Sequence, residues 1–376
     1  METKNRRFFS AVFTLVGTII GAGVLGLPYV FSQSGFLVGF FWLILLGIIM
    51  TLLNLWIGEI TLRTKKIHQL TGYAHKYLGK TARNVMLVAI IFGVYSALLA
   101  YLIGEGQSFS RLFFGNVDYA LFFGIGFWAL MTFLLQGGIN RLKSLEFWSV
   151  IFILAALVIS FLFLLPDVKT NNLLQMNLPG FFMPFGIVLF ALLGFNSVPE
   201  LEREVGKNKG MLKRVIIWGS VIPIFAYLMF SLAFIGVLGS GVGEVATLSF
   251  SGVFGKLLIL FGMFTMMTSF FVLSFALRDA FIFDFNQKRM AHVYVSIVPL
   301  VLYLLVSFFD LVGFVKVLSL GGVISGGVTG ILILLTCKMA KIKGEVRPDY
   351  SIPLSWSAVV VLSLMFLAGI FFEIFL

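Results

Sequence analysis

An uncharged segment at residues 8–31 contains four glycines and a proline within twelve positions: Gly17, Gly21, Gly23, Gly26 and Pro28. The segment is long enough to cross a bilayer, which takes about 20 apolar residues, but glycine and proline disfavour a continuous helix. Irregular backbone that faces lipid leaves N–H and C=O groups unpaired, at several kcal/mol each. The segment therefore predicts a helix that is interrupted within the membrane, where its open backbone lines a polar cavity.

Composition places the chain among integral membrane proteins. Of its 376 residues, 60% are hydrophobic and 11% are charged, which excludes an ordinary soluble globular domain. The net charge of +11 does not indicate a nucleic-acid partner, because the basic residues cluster in alternate loops between apolar spans. The single cysteine, Cys337, excludes an internal disulfide. We expect no cleaved signal peptide, because the first apolar segment is too long and leads directly into a second.

Hydropathy predicts an all-α integral membrane protein with eleven spans, since none of them shows the residue alternation of a barrel strand. The approximate limits of span 1 to span 11 are 8–31, 36–62, 84–107, 118–136, 146–166, 180–200, 214–238, 255–284, 290–309, 312–337 and 353–376.

The basic residues predict the orientation of these spans. With the N-terminus in the cytoplasm, 23 of the 27 lysines and arginines lie on the cytoplasmic side. The four on the other side are Arg111, Lys169, Lys256 and Lys316. This asymmetry predicts a multi-pass protein of the cell membrane with a cytoplasmic N-terminus and an extracytoplasmic C-terminus.

A second interruption is predicted in span 6, where glycine and proline fall within the apolar run at residues 190–200. Spans 1 and 6 are five helices apart, and a unit with an odd number of crossings is inverted in its second copy. Paired breaks at matching positions of two halves mark the binding sites of transporters. We therefore divide the single transmembrane domain, 1–376, into a repeat at 8–166, an inverted repeat at 180–337 and an extra helix at 353–376.

The glycine-rich stretch at residues 17–28 resembles the first-helix motif of the amino acid/auxin permease family, which includes the sodium-coupled neutral amino acid transporters. Three further stretches, at residues 93–104, 194–204 and 58–79, resemble helix 3, the end of helix 6 and the loop after helix 2 of that family or of the wider amino acid–polyamine–organocation superfamily. The resemblance implies the leucine-transporter fold. In that fold, five plus five inverted helices give alternating access to a central site, and span 11 is an appendage.

An amino acid substrate is a zwitterion, so its site must satisfy both charged ends away from bulk water. The half-helix after the break in span 1 presents free N–H groups, and we expect those of Gly21, Ala22 and Gly23 to bind the carboxylate. The half-helix before the break in span 6 ends in free carbonyls, and we expect those of Phe190 and Ala191 to accept from the ammonium. Further candidates for walls and contacts are Thr18, Tyr101, Gly194, Phe195 and Asn196.

Several of these positions also have a packing interpretation. Gly17 and Gly21 form a GxxxG step, which is a common motif of helix association, and aromatic residues such as Tyr101 and Phe195 also fill helix bundles. The second broken helix favours a binding site over packing at residues 17–28. In span 10 three glycines repeat without a break, and there we expect packing alone: Gly322, Gly326 and Gly330.

Span 8 carries three hydroxyl side chains on one helix face: Thr265, Thr268 and Ser269. Oxygen ligands suit a hard cation, and we expect the carbonyls of Gly17 and Ile20 to complete the shell. This set matches the second sodium site that the leucine-transporter fold implies, so Na⁺ is the predicted coupling ion and no organic cofactor is expected. The alternative is that these hydroxyls only bond the carbonyls four residues earlier.

The resemblance implies one sodium rather than two, because the first sodium site of that fold needs a side-chain ligand where this chain has Val24. Proton coupling is the rival. Span 5 lacks the lysine that replaces the ion in some superfamily members, but acids within spans are functional candidates by default. Glu59 and Glu105 are therefore candidates for gating or proton transfer, with pairing to nearby basic groups as the alternative for Glu59.

Three charged residues near the cytoplasmic end of span 8 form either an inner gate or a plain interfacial ion pair: Arg278, Asp279 and Asp284.

The predicted function is secondary active transport, in which a neutral amino acid is carried together with sodium. The lack of a charged side chain at mid-depth favours a neutral substrate, and Phe190, Leu192 and Phe195 favour a large or aromatic one. The bilayer and the amino acid are the only partners that we expect, with no obligatory protein partner. The alternatives are a proton-coupled permease and a non-transporting amino acid sensor, for which a seven-residue N-terminal tail leaves little signalling surface. A membrane enzyme is disfavoured, because the histidines of this chain are expected near the cytoplasmic surface and the sequence has no GxSxG motif.

Overall fold

Helices make up the regular structure of the chain, for which a computed structural model describes residues 2–136, 142–206, 208–283 and 290–375. In the first half of the chain the helices are α1 (Glu2–Ile19), α2 (Gly23–Ser34), α3 (Phe36–Arg63), α4 (Leu70–Leu78), α5 (Lys80–Phe114), α6 (Ala120–Gln136), α7 (Leu142–Leu164) and α8 (Thr170–Leu173). In the second half they are α9 (Met183–Ala191), α10 (Val198–Val205), α11 (Leu212–Leu238), α12 (Gly252–Phe283), α13 (Ala291–Phe309), α14 (Phe314–Gly321), α15 (Val328–Lys343) and α16 (Trp356–Phe375).

The described helices make the chain an integral membrane protein. Nine of the described helical segments are long and apolar enough to cross a membrane, and the bent pair α1 and α2 makes a tenth. The count of eleven is not confirmed, because α6 is apolar but only 17 residues long. The orientation of the termini remains a prediction.

The first helix is interrupted where the glycine-rich stretch predicts it. α1 ends at Ile19 and α2 begins at Gly23, and the two helices are bent by 54° at the break. The Gly21 amide donates to the Ile19 carbonyl at 3.0 Å and so does not continue the helix. Pro28 lies within α2, beyond the break.

The second predicted interruption is also present. α9 ends at Ala191, and α10 begins at Val198 with Pro199 in its first turn. Between them the chain makes a short 3-10 turn at Phe195–Ser197, which the Ser197 hydroxyl stabilises by donating to the Gly194 carbonyl at 2.9 Å.

The two breaks lie against each other because glycine allows their backbones to touch. A Cβ atom at position 23 would lie 2.7 Å from Ala191 Cα, so the start of α2 packs directly on the end of α9. A Cβ atom at position 194 would lie 2.6 Å from Ile19 Cγ1, at the end of α1. Each break thus contacts a helix end of the other break, so the ends of four half-helices lie close together.

Span 10 differs from its prediction. The glycines pack closely as expected, since Gly322 lies against Gly186 and Phe190 and Gly326 lies against Leu189. The helix is not regular there, however, because Gly322–Gly327 forms a π-helical segment between α14 and α15. Single-turn π segments are frequent at functional sites.

A buried carboxylate ties three segments together at the N-terminal face, the end of the bundle where α1 begins and α3 ends. Glu59 of α3 is fully buried and accepts hydrogen bonds from Lys341 Nζ at 2.6 Å and Arg63 Nε at 2.9 Å. It also accepts from Ser351 Oγ at 2.7 Å and the Ile352 amide at 2.9 Å, in the segment before α16. Glu59 therefore pairs with basic groups and anchors α15 and the segment before α16 to α3.

We predict that Lys341→Met destabilises the fold, because the Glu59 carboxylate would lose its shortest charge-assisted hydrogen bond. Such bonds contribute about 2 kcal/mol each, and the free energy of unfolding in detergent micelles should fall by about that amount. Lys343→Met removes the same charge from an exposed position on the same helix and is the matched control. Equal losses from the two substitutions would show that the buried pair adds nothing.

Candidate functional site

A cavity of ≈ 670 Å³ lies beside the two breaks. Its volume falls within the range of small-molecule sites in proteins, about 300–1,000 Å³. Its lining includes residues predicted for substrate or ion binding: Gly17, Thr18, Ile20, Gly21, Gly23, Tyr101, Phe190, Ala191, Asn196, Thr268 and Ser269. It also includes residues that the sequence reasoning did not identify, among them Ile90, Met131, Ser149, Ile153, Leu193 and Ser325.

The cavity extends from the breaks toward the N-terminal face. In α5 the lining lies between Ile90 and Tyr101, in the first part of the helix, and in α12 it lies between Met267 and Leu273, in the last part. Both parts are on the side of the breaks that holds the start of α1. Thr18 and Asn196, which line the cavity, are exposed, so the cavity is not fully enclosed.

The end of α1 presents backbone carbonyls to the cavity. In a regular helix the Gly21 amide would donate to the Gly17 carbonyl, and the Val24 amide to the Ile20 carbonyl. Here these amides donate instead to the carbonyls of Ile19 and, at 3.3 Å, of Gly21. The Gly17 and Ile20 carbonyls therefore lose their helical donors. Both residues line the cavity. The C-terminal end of a helix carries partial negative charge, so this end can bind a cation or an ammonium group.

The three hydroxyls of α12 divide into two groups. Thr268 and Ser269 line the same cavity as Gly17 and Ile20. Thr265 is fully buried outside the lining, and its Oγ1 donates to the Phe261 carbonyl at 2.9 Å. Thr268 Oγ1 likewise donates to the Phe264 carbonyl at 3.0 Å. The lone pairs of this oxygen can still coordinate a cation.

Tyr101 closes the cavity at the level of the first break. Its buried hydroxyl pairs with the Ser269 side chain and with the backbone of Ala22. A Cβ atom at position 21 would lie 3.3 Å from Ser269 Oγ and 3.6 Å from the Tyr101 hydroxyl, so Gly21 leaves space between these two groups and the break. Of the three predicted carboxylate-binding residues, Gly21 and Gly23 line the cavity, whereas Ala22 is buried behind it.

The end of α9 is partly satisfied within the protein. The Phe190 carbonyl accepts from the Leu193 amide at 3.1 Å, and the Ala191 carbonyl accepts from the Tyr227 hydroxyl at 2.9 Å. The sequence reasoning missed Tyr227, although a tyrosine in the middle of an apolar span signals a buried polar contact. The Leu192 amide also donates to the Phe190 carbonyl, whereas the Ala191 carbonyl keeps one lone pair for a ligand.

Two predicted wall residues lie outside the cavity. Phe195 is 1% exposed and is directed into the helix packing, and Gly194 packs on the end of α1. Leu192 is also buried away from the lining.

Glu105 is the buried acid whose carboxylate stays unpaired in the described part of the chain. It is 1% exposed, and neither of its oxygens has a hydrogen-bond partner there. It lies four residues after Tyr101 on α5, on the same helix face and one turn further from the cavity. Glu59, by contrast, lies at the N-terminal face with its carboxylate fully paired.

The predicted inner gate lies away from the main cavity. The Arg278 guanidinium is 4.4 Å from the centre of the Phe275 ring and 3.7 Å from the neighbouring Asp279. Arg278 and His292 line a second cavity of ≈ 470 Å³ between α6, α12 and α13. Asp284 lies outside the described residues.

His68 lies between α3 and α4 and is not part of the cavity lining. Burial together with Lys76 and Lys66 lowers the pKa of its imidazole.

Comparison with known proteins assigns the chain to a family. The sequence profile of the tryptophan/tyrosine permease family matches residues 4–375. The chain is 25% identical over 240 residues to Glutamine transporter 2 of Aliivibrio fischeri, covering 62% of each protein. It is 28% identical over 233 residues to Tyrosine-specific transport system 1 of Haemophilus influenzae, covering 60% of this chain and 56% of the relative. The match thus spans less than two thirds of either relative.

A plant protein is also similar: Amino acid transporter AVT6E of Arabidopsis thaliana is 33% identical over 132 residues, covering 34% of this chain and 26% of the relative. The narrower prediction of the amino acid/auxin permease family is not confirmed. The family and these relatives are permeases and transporters rather than enzymes. The chain belongs to the tryptophan/tyrosine permease family.

Proposed function

We propose that the protein is a secondary active transporter that carries a neutral amino acid, with a large or aromatic side chain, together with sodium. The observation that carries the proposal is the cavity between two broken helices, because four half-helix ends meet there and present open backbone. The family and its tyrosine-transporting relative support an amino acid as the substrate.

The lining of the cavity supports a neutral, bulky substrate. Among the described residues, none that lines it is charged. A substrate with a charged side chain would therefore lack a partner in a water-poor site. Apolar side chains from five helices and from the break after α9 form most of the wall and suit an aromatic ring: Ile90, Met131, Ile153, Phe190, Leu193 and Phe271.

The substrate's charged ends are assigned to the two breaks. The Gly23 amide at the start of α2, which has no acceptor among the described backbone hydrogen bonds, favours the carboxylate, whereas the Gly21 amide already donates to Ile19. The Phe190 and Ala191 carbonyls, at the negative end of α9, accept from the ammonium. The sodium ion is assigned to the Gly17 and Ile20 carbonyls with the Thr268 and Ser269 hydroxyls, all of which line the cavity.

The breaks also support the leucine-transporter fold with its 5+5 inverted repeat. They lie in spans 1 and 6 and pack on each other through Gly23 and Gly194. If the N-terminus is cytoplasmic, as the basic residues predict, a cavity that opens toward the N-terminal face corresponds to the inward-facing state of alternating access. Substrate and ion drive the change between states only through their different affinities for each.

Proton coupling is a second candidate, and one observation favours it. Glu105 is buried without a hydrogen-bond partner in the described part of the chain, and an acid inside a membrane span is by default a candidate for proton transfer. Its place one turn beyond Tyr101 puts it next to the closed end of the cavity. In this version a proton on Glu105 replaces the sodium ion.

We predict that purified protein in proteoliposomes takes up L-tyrosine or L-tryptophan against a concentration gradient when an inward sodium gradient is imposed. Competition by a panel of unlabelled amino acids should be strong for neutral, bulky ones and weak for lysine and glutamate. Binding without flux of any panel member would support a sensor instead. Uptake driven equally well by a proton gradient without sodium would support the second candidate.

We predict that the double variant Thr268→Ala/Ser269→Ala raises the sodium concentration for half-maximal uptake at least tenfold, because two of the assigned oxygen ligands are lost. Glu105→Gln, which keeps the shape of the side chain but cannot release a proton, should leave the sodium dependence unchanged. The reverse pattern, in which Glu105→Gln alone abolishes gradient-driven uptake, would transfer the coupling role to Glu105.

We predict that Gly23→Ala lowers uptake at least tenfold, because its Cβ would lie 2.7 Å from Ala191 Cα and would push the end of α9 away from the cavity. Gly126→Ala is the matched control, since a Cβ at that exposed position of α6 meets no atom within 4 Å. Uptake is compared at equal amounts of protein in the vesicles. Wild-type uptake by Gly23→Ala would contradict the role of the close contact between the breaks.

A further inference from the structure

One side chain contacts both helix breaks. Tyr227 of α11 is fully buried, and its hydroxyl lies 2.7 Å from the Ile19 carbonyl oxygen and 2.9 Å from the Ala191 carbonyl oxygen. Ile19 is the last residue of α1, and Ala191 is the last residue of α9. The hydroxyl therefore sits where the C-terminal ends of two half-helices converge.

The electrostatics of this contact are unusual. Each helix end carries partial negative charge, and neither carbonyl receives the amide hydrogen bond that an uninterrupted helix would provide. A phenol has one hydrogen, so Tyr227 supplies a single donor to two acceptors. Besides this donor, the Ile19 carbonyl accepts from the Gly21 amide at 3.0 Å, whereas the described residues supply no other donor to the Ala191 carbonyl.

The position of Tyr227 is fixed by contacts remote from the breaks. Two turns earlier on α11, Gly219 packs on Leu15 of α1, where a Cβ atom would lie 2.7 Å from its side chain. The adjacent Ser220 hydroxyl accepts from Asn54 Nδ2 of α3 at 3.3 Å. α11 is thus held by α1 and α3, and it presents the Tyr227 hydroxyl to the breaks as a fixed point.

We infer that Tyr227 is a positioning residue for the amino acid site. Its hydroxyl sets the spacing between the ends of α1 and α9, and it fixes the position of the Ala191 carbonyl, one of the two carbonyls assigned to the substrate ammonium. Tyr227 does not line the cavity and does not touch the substrate. The inference rests on the proposed function, because it assumes that the two helix ends bind an amino acid.

Tyr227→Phe tests this role, since it removes the hydroxyl and keeps the ring. The Michaelis constant for L-tyrosine uptake should rise at least tenfold, with maximal turnover reduced less than threefold. The increase in thermal midpoint that saturating L-tyrosine or L-tryptophan causes in the wild-type protein should be largely lost.

Tyr303→Phe is the matched control. Tyr303 is also buried, and its hydroxyl donates to the Ala120 carbonyl at 3.0 Å, away from the cavity. This variant loses one tyrosine–carbonyl hydrogen bond, as Tyr227→Phe does, and should keep a Michaelis constant within twofold of the wild-type value. Both variants are measured in proteoliposomes with an imposed sodium gradient and, without substrate, for thermal midpoint in detergent.

Two outcomes would overturn the inference. If the two variants show the same Michaelis constant and the same loss of thermal midpoint, the Tyr227 hydroxyl is only a structural contact. If Tyr227→Phe is not recovered folded while Tyr303→Phe is, the hydroxyl is needed for folding and not specifically for the site. A wild-type protein that neither binds nor transports any amino acid of the panel would instead refute the proposed function itself.

Discussion

Backbone groups inside a bilayer have no water to bond, so every amide and carbonyl that a helix leaves open must find a partner in the protein or in a ligand. Both broken helices meet this requirement at the same place. Gly23 packs on the Ala191 backbone and Gly194 packs on the Ile19 side chain, Tyr101 pairs with the backbone of Ala22, and Tyr227 bridges the two C-terminal ends. The groups that stay open, above all the Gly17 and Ile20 carbonyls, face the cavity. The arrangement of the site follows from which backbone groups the protein satisfies and which it leaves for a ligand.

The sequence predicts the breaks well because their cause is local. Glycine and proline weaken a helix wherever they stand, so the interruptions at residues 20–22 and 192–197 follow from the residues themselves. The partners of the open backbone do not follow, because they come from distant helices. Nothing in the pattern around Tyr227 indicates that its hydroxyl reaches Ile19 and Ala191, which are far away in sequence. For the same reason the sequence places Phe195 at the site, whereas tertiary packing buries it elsewhere.

Glu59 and Glu105 show that the role of a buried acid depends on its hydrogen-bond partners. In the sequence both are single acids within apolar spans, and both are candidates for gating or proton transfer. In the structure both are buried, but Glu59 accepts from two basic side chains, a hydroxyl and an amide, whereas Glu105 has no partner in the described residues. A carboxylate with four donors suits an anchor, because its hydrogen bonds hold separate segments together. An acid inside a membrane span that has no such partners is the better candidate for a coupling residue.

The location of the cavity has a consequence for alternating access. Tyr101 marks its closed end, and beyond it α5 packs tightly on α12 and α14: a Cβ atom at position 104 would lie 2.6 Å from Met266 Sδ and 3.0 Å from the Phe314 ring. Under the proposed mechanism these contacts must separate for the site to face the other side. The π-helical segment Gly322–Gly327, rather than regular helix, joins α14 to α15. Gly322 and Gly326 of this segment lie against α9 beside the second break. A transporter needs tight packing on one side of the site, because this packing must close the site in one state. It also needs irregular helix beside the site, because the same contacts must separate in the other state without unfolding a regular helix.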